Sequence, residues 1–112
     1  MVTESENTPW MVLYSRSAID FISRRVASKK VAQKIFRYRE LLAENPDLGR
    51  NYQPEYAAAV PPFPCRFISV PDTPFTLFYF KDEKERKIVI FCVEFQRTDP
   101  VGRFVVVDWV DL

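Results

Sequence analysis

The hydrophobic positions of this chain change period partway along it. Between residues 18 and 42 they recur at three and four: Ala18, Ile19, Ile22 and Val26, then Val31, Ile35, Tyr38 and Leu42. That spacing draws one apolar stripe along each of two helices. From Cys65 onward the pattern is dense and extended. CRFISV, FTLFYFK and KIVIFCVEF are rich in β-branched and aromatic residues, and they are parted by a Pro-Asp-Thr-Pro turn and the charged break DEKER. Three such runs predict a three-stranded antiparallel meander. Ahead of the helices, residues 10–14 read as a first strand.

The punctuation fits this division. Ser15 or Ser17 can cap the first helix, because a hydroxyl there accepts one of the orphan N–H groups. Ala27-Ser28 breaks the helical run, and Ser28 caps a second helix that continues to about Glu44, where Asn45-Pro46 stops it. Two amphipathic helices joined this closely predict an antiparallel hairpin that buries its stripes on the sheet. From Gly49 to Pro64 the prolines at 54, 61, 62 and 64 predict an irregular connector, with room for a helical turn over residues 55–60.

In the last strand strict alternation places Val89, Phe91, Val93 and Phe95 on one face and Ile88, Ile90 and Cys92 on the other. Both faces are apolar, so both need cover. The helices supply one side; the C-terminal segment, a second copy of the chain or a partner must supply the other. FVVVDWV, residues 104–110, is itself β-prone, and is expected to add an edge strand or to fold over that face; unpaired, it would invite aggregation. The expected class is α+β: N-terminal strand, antiparallel helical hairpin, three-stranded antiparallel meander and an extra β-prone C-terminal tail. The chain divides into a flexible polar arm (1–9), one domain (10–100) and an extension (101–112).

Composition narrows the class without naming a function. A chain of 112 residues with 47% apolar residues and two glycines is one globular domain and excludes a disordered or low-complexity segment. The N-terminal MVTESENTP has acids where a secretory signal would have bases, and WMVLY is too short to span a bilayer, so the expected setting is cytoplasmic with no membrane contact. Cys65 and Cys92 fall in predicted strands among apolar neighbours. A disulfide requires those strands to be adjacent, and a reducing compartment favours two buried thiols.

Charge is unevenly distributed. Residues 16–39 hold eight bases (Arg16, Arg24, Arg25, Lys29, Lys30, Lys34, Arg37, Arg39) and one acid, Asp20, in a chain whose net charge is +1. Arg24, Arg25, Lys29, Lys30, Lys34 and Arg37 are therefore candidates for binding nucleic acid or an acidic partner; the bland alternative is a solvated helix face.

Catalytic chemistry is narrowed by exclusion. With no histidine there is no Ser/His or Cys/His nucleophile and no histidine zinc site. Two cysteines cannot make a four-cysteine metal site, and two glycines cannot make a phosphate-cradling loop. No cofactor or metal is expected. The remaining polar set lies at strand ends: Arg66, Tyr79, Lys81, Glu94, Arg97 and Asp99. Metal-independent RNA cleavage needs a base for the 2′-OH, an acid for the leaving oxygen and cations for the phosphate. Glu94 or Tyr79 is the candidate base, with Arg66, Lys81 and Arg97 as cations. On the structural alternative Arg97 pairs with Asp99 or Glu94 and Tyr79 packs in the core.

An arginine opening a strand (Arg66), an aromatic strand ending in Tyr79 and an apolar strand running into VEFQRTDP, preceded by Ser15-Arg16-Ser17-Ala18 and by Asn45-Pro46-Asp47-Leu48-Gly49, resemble the RelE/ParE superfamily of toxins from type II toxin–antitoxin modules, over about residues 10–100. The resemblance implies a toxin held inactive by a cognate antitoxin. It also implies one of two activities. RelE-like members cut messenger RNA on the ribosome and carry a tyrosine or histidine after the last strand's arginine. Here Thr98-Asp99-Pro100 follows Arg97, and no tyrosine lies downstream. ParE-like members poison DNA gyrase and commonly show an arginine followed by an aspartate there, as Arg97 and Asp99 do. The ParE-like expectation is the stronger, the ribosome-dependent endoribonuclease is its alternative, and an interaction module that kept the fold without toxicity is a third. Homodimerisation through the sheet face or the C-terminal tail is a further partner expectation.

Overall fold

Ser15 sits where the first strand becomes the first helix and serves both. Its hydroxyl oxygen accepts the Ala18 N–H at 3.1 Å, capping α1 (Arg16–Arg25), while the hydroxyl donates to the Phe91 carbonyl at 3.2 Å. Of the two candidate caps it is Ser15 that takes the position. Ser28 caps α2 (Lys29–Phe36) through the Val31 N–H, and α3 (Tyr38–Glu44) ends at Asn45 as the proline after it requires. The computed structural model describes residues 9–54, 60–98, 100, 103, 104 and 107; the helical turn expected over 55–60, Asp99 and most of the arm and tail lie outside the described residues.

The expected second helix is two segments, parted at Arg37. Tyr14 accounts for the break. Its hydroxyl donates to the Ile35 carbonyl at 2.7 Å and accepts the Arg39 backbone N–H, so it stands in for the direct bond from Arg39 to Ile35 that a continuous helix would make. A side chain inserted into the hydrogen-bond ladder is a standard cause of a helix kink. The buried stripe Ile35, Tyr38 and Leu42 runs unbroken through it.

The sheet has five strands and is mixed: β1 (Met11–Tyr14), β2 (Arg50–Asn51), β3 (Arg66–Ser69), β4 (Phe75–Asp82) and β5 (Lys87–Phe95), in the order β1-β5-β4-β3-β2. The antiparallel run β3-β4-β5 is present, but it is the middle of a larger sheet and not the whole. β1 pairs in parallel with β5, and the two-residue β2 pairs antiparallel with β3, inside the stretch expected to be irregular. Because β4 separates β3 from β5, Cys65 and Cys92 are not on adjacent strands; both are free, buried thiols.

One irregularity corrects the facing pattern of β5. Phe78 pairs with Cys92 but Tyr79 pairs with Ile90, leaving Phe91 as an extra residue, a β-bulge. Upstream, Ile88 and Ile90 face the helices while Val89 faces away. Downstream, Val93 and Phe95 pack on the helix side and Cys92 on the other, the reverse of strict alternation. The carbonyl of this extra residue is the one to which the Ser15 hydroxyl donates.

Each face has its own core. On one, Val12, Leu77, Tyr79, Ile88, Ile90 and Val93 pack against Ala18, Ile22, Ile35 and Leu42, each fully buried aliphatic contributing roughly 1.5–3 kcal/mol. On the other, Phe78, Val89, Phe91 and Cys92 are covered by Tyr52, Phe63, Cys65, Phe104 and Val107. The second face therefore finds cover within the chain, part of it from the C-terminal segment.

Candidate functional site

The strand-end residues separate into three places. Arg66 and Tyr79 are direct partners across β3 and β4, and Lys81 follows two residues on. All three converge on the turn after α3. The Tyr79 hydroxyl accepts the Gly49 N–H at 2.9 Å and donates to the Pro46 carbonyl at 2.8 Å. Arg66 Nη1 donates to the Gly49 carbonyl at 2.7 Å and its Nε lies 3.5 Å from Asp47. Lys81 Nζ donates to Asp47 Oδ1 at 2.6 Å and lies 3.7 Å from Glu83.

This cluster clamps the turn. Tyr79 is 0% exposed, and burial raises its hydroxyl above the ordinary value, with the Gly49 N–H drawing it back in part. The hydrogen bond from Lys81 is the main influence holding the Asp47 carboxyl below its usual range. Gly49 fits because nothing larger would: a Cβ there would meet the Phe67 carbonyl oxygen at 2.7 Å and Tyr79 Cε1 at 2.9 Å. Beside the clamp a cleft of about 330 Å³ opens between Asn51, Phe63, Phe80, Arg66 and Lys81. Its two cations are both engaged by Asp47.

Glu94 is elsewhere. The bulge turns it to the second face, where it is 6% exposed and its Oε1 lies 2.6 Å from Arg103 Nε. Burial pushes its carboxyl up to about 7, against Arg103, which pulls it down. Arg103 was not among the expected site residues. The signal for it is Glu94 itself, one acid in an apolar strand, which folding can bury only beside a cation.

Arg97 is in the third place, exposed just past β5. From Lys81 to Phe75, whose partner is Phe95, β4 advances six residue steps, roughly 20 Å at about 3.3 Å each, and Arg97 lies at that far end beside Pro74 and Phe95. Asp99 lies outside the described residues. Gln96 fastens this end to the β3–β4 turn through the carbonyls of Thr73 and Phe75, and a cavity of about 550 Å³ is lined by Pro74, Phe95, Gln96 and Arg97. The Arg25 guanidinium stacks over the Phe95 ring at 5.1 Å. Arg97 and Arg25 thus both lie beside one half-buried ring.

Along the helices Arg24 pairs with Asp20 at 3.1 Å, and Arg39 lies over the Tyr14 ring at 5.6 Å. Arg24, Arg25, Lys29, Lys30 and Arg37 are exposed and Lys34 is half-buried. Among the described residues no carboxylate pairs with Arg25, Lys29, Lys30, Lys34 or Arg37. Among the described residues, too, no three His, Cys, Asp or Glu side chains gather as a metal site, and no helix is long and apolar enough to cross a membrane.

Comparison of the chain with protein-family models, with curated proteins and with solved structures finds no match.

Proposed function

We propose that this chain is the toxin component of a type II toxin–antitoxin module of the ParE-like kind, one that acts by binding DNA gyrase and not by cutting RNA, and that a cognate antitoxin neutralises it. The dispersal of the polar set carries the choice between the two activities. A metal-free nuclease needs its base, acid and cations around one phosphate. Here the Tyr79 hydroxyl is buried and bonded on both sides, Glu94 lies on the opposite face with Arg103, and Arg97 stands at the other end of β4, roughly 20 Å along the sheet from Lys81. The order strand, helices, antiparallel strands supports the family reading. The unpaired bases of the helices and Arg97 support an acidic or nucleic-acid-bearing target.

Induced expression in a bacterial host without an antitoxin tests the toxin reading, and growth arrest is the expected result. Purified protein should then inhibit gyrase supercoiling and leave ribosome-bound messenger RNA uncut. Unimpaired growth at high soluble expression would favour an interaction module without toxicity. A ribosome-dependent cut that Arg97→Ala abolishes would overturn the gyrase reading.

A further inference from the structure

The second face of the sheet holds a cation in a cage of two rings and a carboxylate, and that cation is the chain's own. The Arg103 side chain is 16% exposed. Its Nε lies 2.6 Å from Glu94 Oε1, its guanidinium carbon lies 5.2 Å from the Phe78 ring centre and 5.7 Å from that of Tyr52, and Nη1 reaches the Tyr52 hydroxyl at 3.4 Å. A planar, delocalised cation against ring faces with a carboxylate at its edge is the arrangement that distinguishes arginine from lysine.

The occupant is held at a strained point of the chain. Its Nε is in close charge-assisted contact with the Glu94 carboxyl group. Phe104 has a φ of 70°, a left-handed conformation that a bulky side chain adopts only under constraint. A cavity of about 180 Å³ opens beside the pair, next to Phe67, Ser69 and Thr76. The Phe104 ring meanwhile packs edge-on to Phe78 at 5.1 Å and to Tyr52 at 5.7 Å. An arginine and the apolar residue after it are thus received side by side.

From this we infer that the cage of Glu94, Tyr52 and Phe78 is a binding site for an arginine side chain of a peptide, filled in cis by Arg103. When Arg103 and Phe104 lift, the site accepts an arginine followed by an aromatic residue from another polypeptide. The buried carboxylate sets the charge of that guest, and the two rings set its planarity.

The test uses the full chain carrying Arg103→Met, which keeps apolar bulk and removes the guanidinium. N-acetyl-Arg-Phe-amide is titrated against it while the backbone amides of Phe78 and Glu94 are followed by NMR, with N-acetyl-Lys-Phe-amide as control. Saturable binding at least tenfold tighter than the lysine peptide, and at least tenfold tighter than to the parent chain, is expected, and adding Glu94→Gln should abolish it. A folded Arg103→Met chain that ignores the arginine peptide, or takes both peptides equally, overturns the inference. Should that variant not fold, exchange of the Val107 amide, bonded to the Phe104 carbonyl at 3.0 Å, is measured in the parent chain as the arginine peptide is added. Faster exchange is expected, and unchanged exchange overturns the inference.

Discussion

Glu94 is an acid whose charge the fold disfavours, and this fixes the sign of its effect on stability. Its folded carboxyl is raised from 4.5 to about 7 by burial, more than Arg103 offsets. Between those values the folded state binds more protons than the unfolded one, so stability falls as pH rises from about 4.5 to about 7 and is level above. At about 1.4 kcal/mol per pH unit the full span is on the order of 3 kcal/mol. Glu94→Gln should flatten this part of a stability–pH profile measured by urea unfolding. A profile as steep in the variant as in the parent would show that Glu94 is not the group responsible. Tyr79 makes a second prediction at the same scale. Tyr79→Phe leaves the Gly49 N–H and the Pro46 carbonyl without their partner in a closed site, a loss of about 1–3 kcal/mol. Gly49→Ala should cost at least as much, because the atom its Cβ meets at 2.7 Å is a β3 carbonyl that pairing holds in place.

At the scale of elements, Tyr14 and Ser15 tie the strand to the helices, and they do so differently. Removing the Tyr14 hydroxyl frees two groups that can bond each other, so Tyr14→Phe should let α2 and α3 join with little loss of stability and with slower exchange of the Arg39 amide. Ser15→Ala offers no such repair. It uncaps α1 and removes the hydroxyl that donates to the Phe91 carbonyl, for a loss of about 1–2 kcal/mol. Much of this layer was legible beforehand. Ser28, the Asn45-Pro46 stop and the strand runs at 66–69, 75–82 and 87–95 announce themselves through local chemistry: capping hydroxyls, prolines and β-branched density. What escaped has physical reasons. Two residues of β2 carry no period, and their pairing is settled only when β3 arrives. The break at Arg37 depends on a tyrosine 23 positions earlier. The bulge at Phe91 is silent because Phe91 and Cys92 are both apolar, so a slip between them leaves no mark in the hydrophobic pattern. With it went the facing of Glu94, and hence the pair with Arg103. The grouping of Arg66, Tyr79 and Lys81 was partly readable from their adjoining strands, but the turn they clamp was not, and β4 runs on past Tyr79 to Asp82 where the sequence pattern had the strand end at the tyrosine.

Over the whole molecule, charge and cover are the two features that set behaviour. The exposed bases of the helices and Arg97 lie along the surface, so any polyanion they hold should be released by salt, and an affinity that did not fall with added salt would exclude this surface. Cover is the more vulnerable feature. Phe104 and Val107 close part of the second face, and a chain ended after Thr98 would leave Phe78, Val89 and Phe91 less covered. Sedimentation over a concentration series should find the shortened chain associating more strongly than the intact one; equal behaviour would mean that Phe104 and Val107 contribute little to closure. The bulge has a different consequence, which concerns inheritance. In a regular strand, gaining or losing a residue inverts every side chain beyond it. In β5 the irregularity absorbs that inversion: without Phe91, Ile90 and Cys92 would be neighbours on opposite faces, and Val93, Glu94 and Phe95 would keep the sides they already occupy. Phe91 is in effect an inserted letter that leaves the rest of the word unchanged. Length variation among related chains is accordingly expected to be tolerated at this position and punished elsewhere between Lys87 and Phe95.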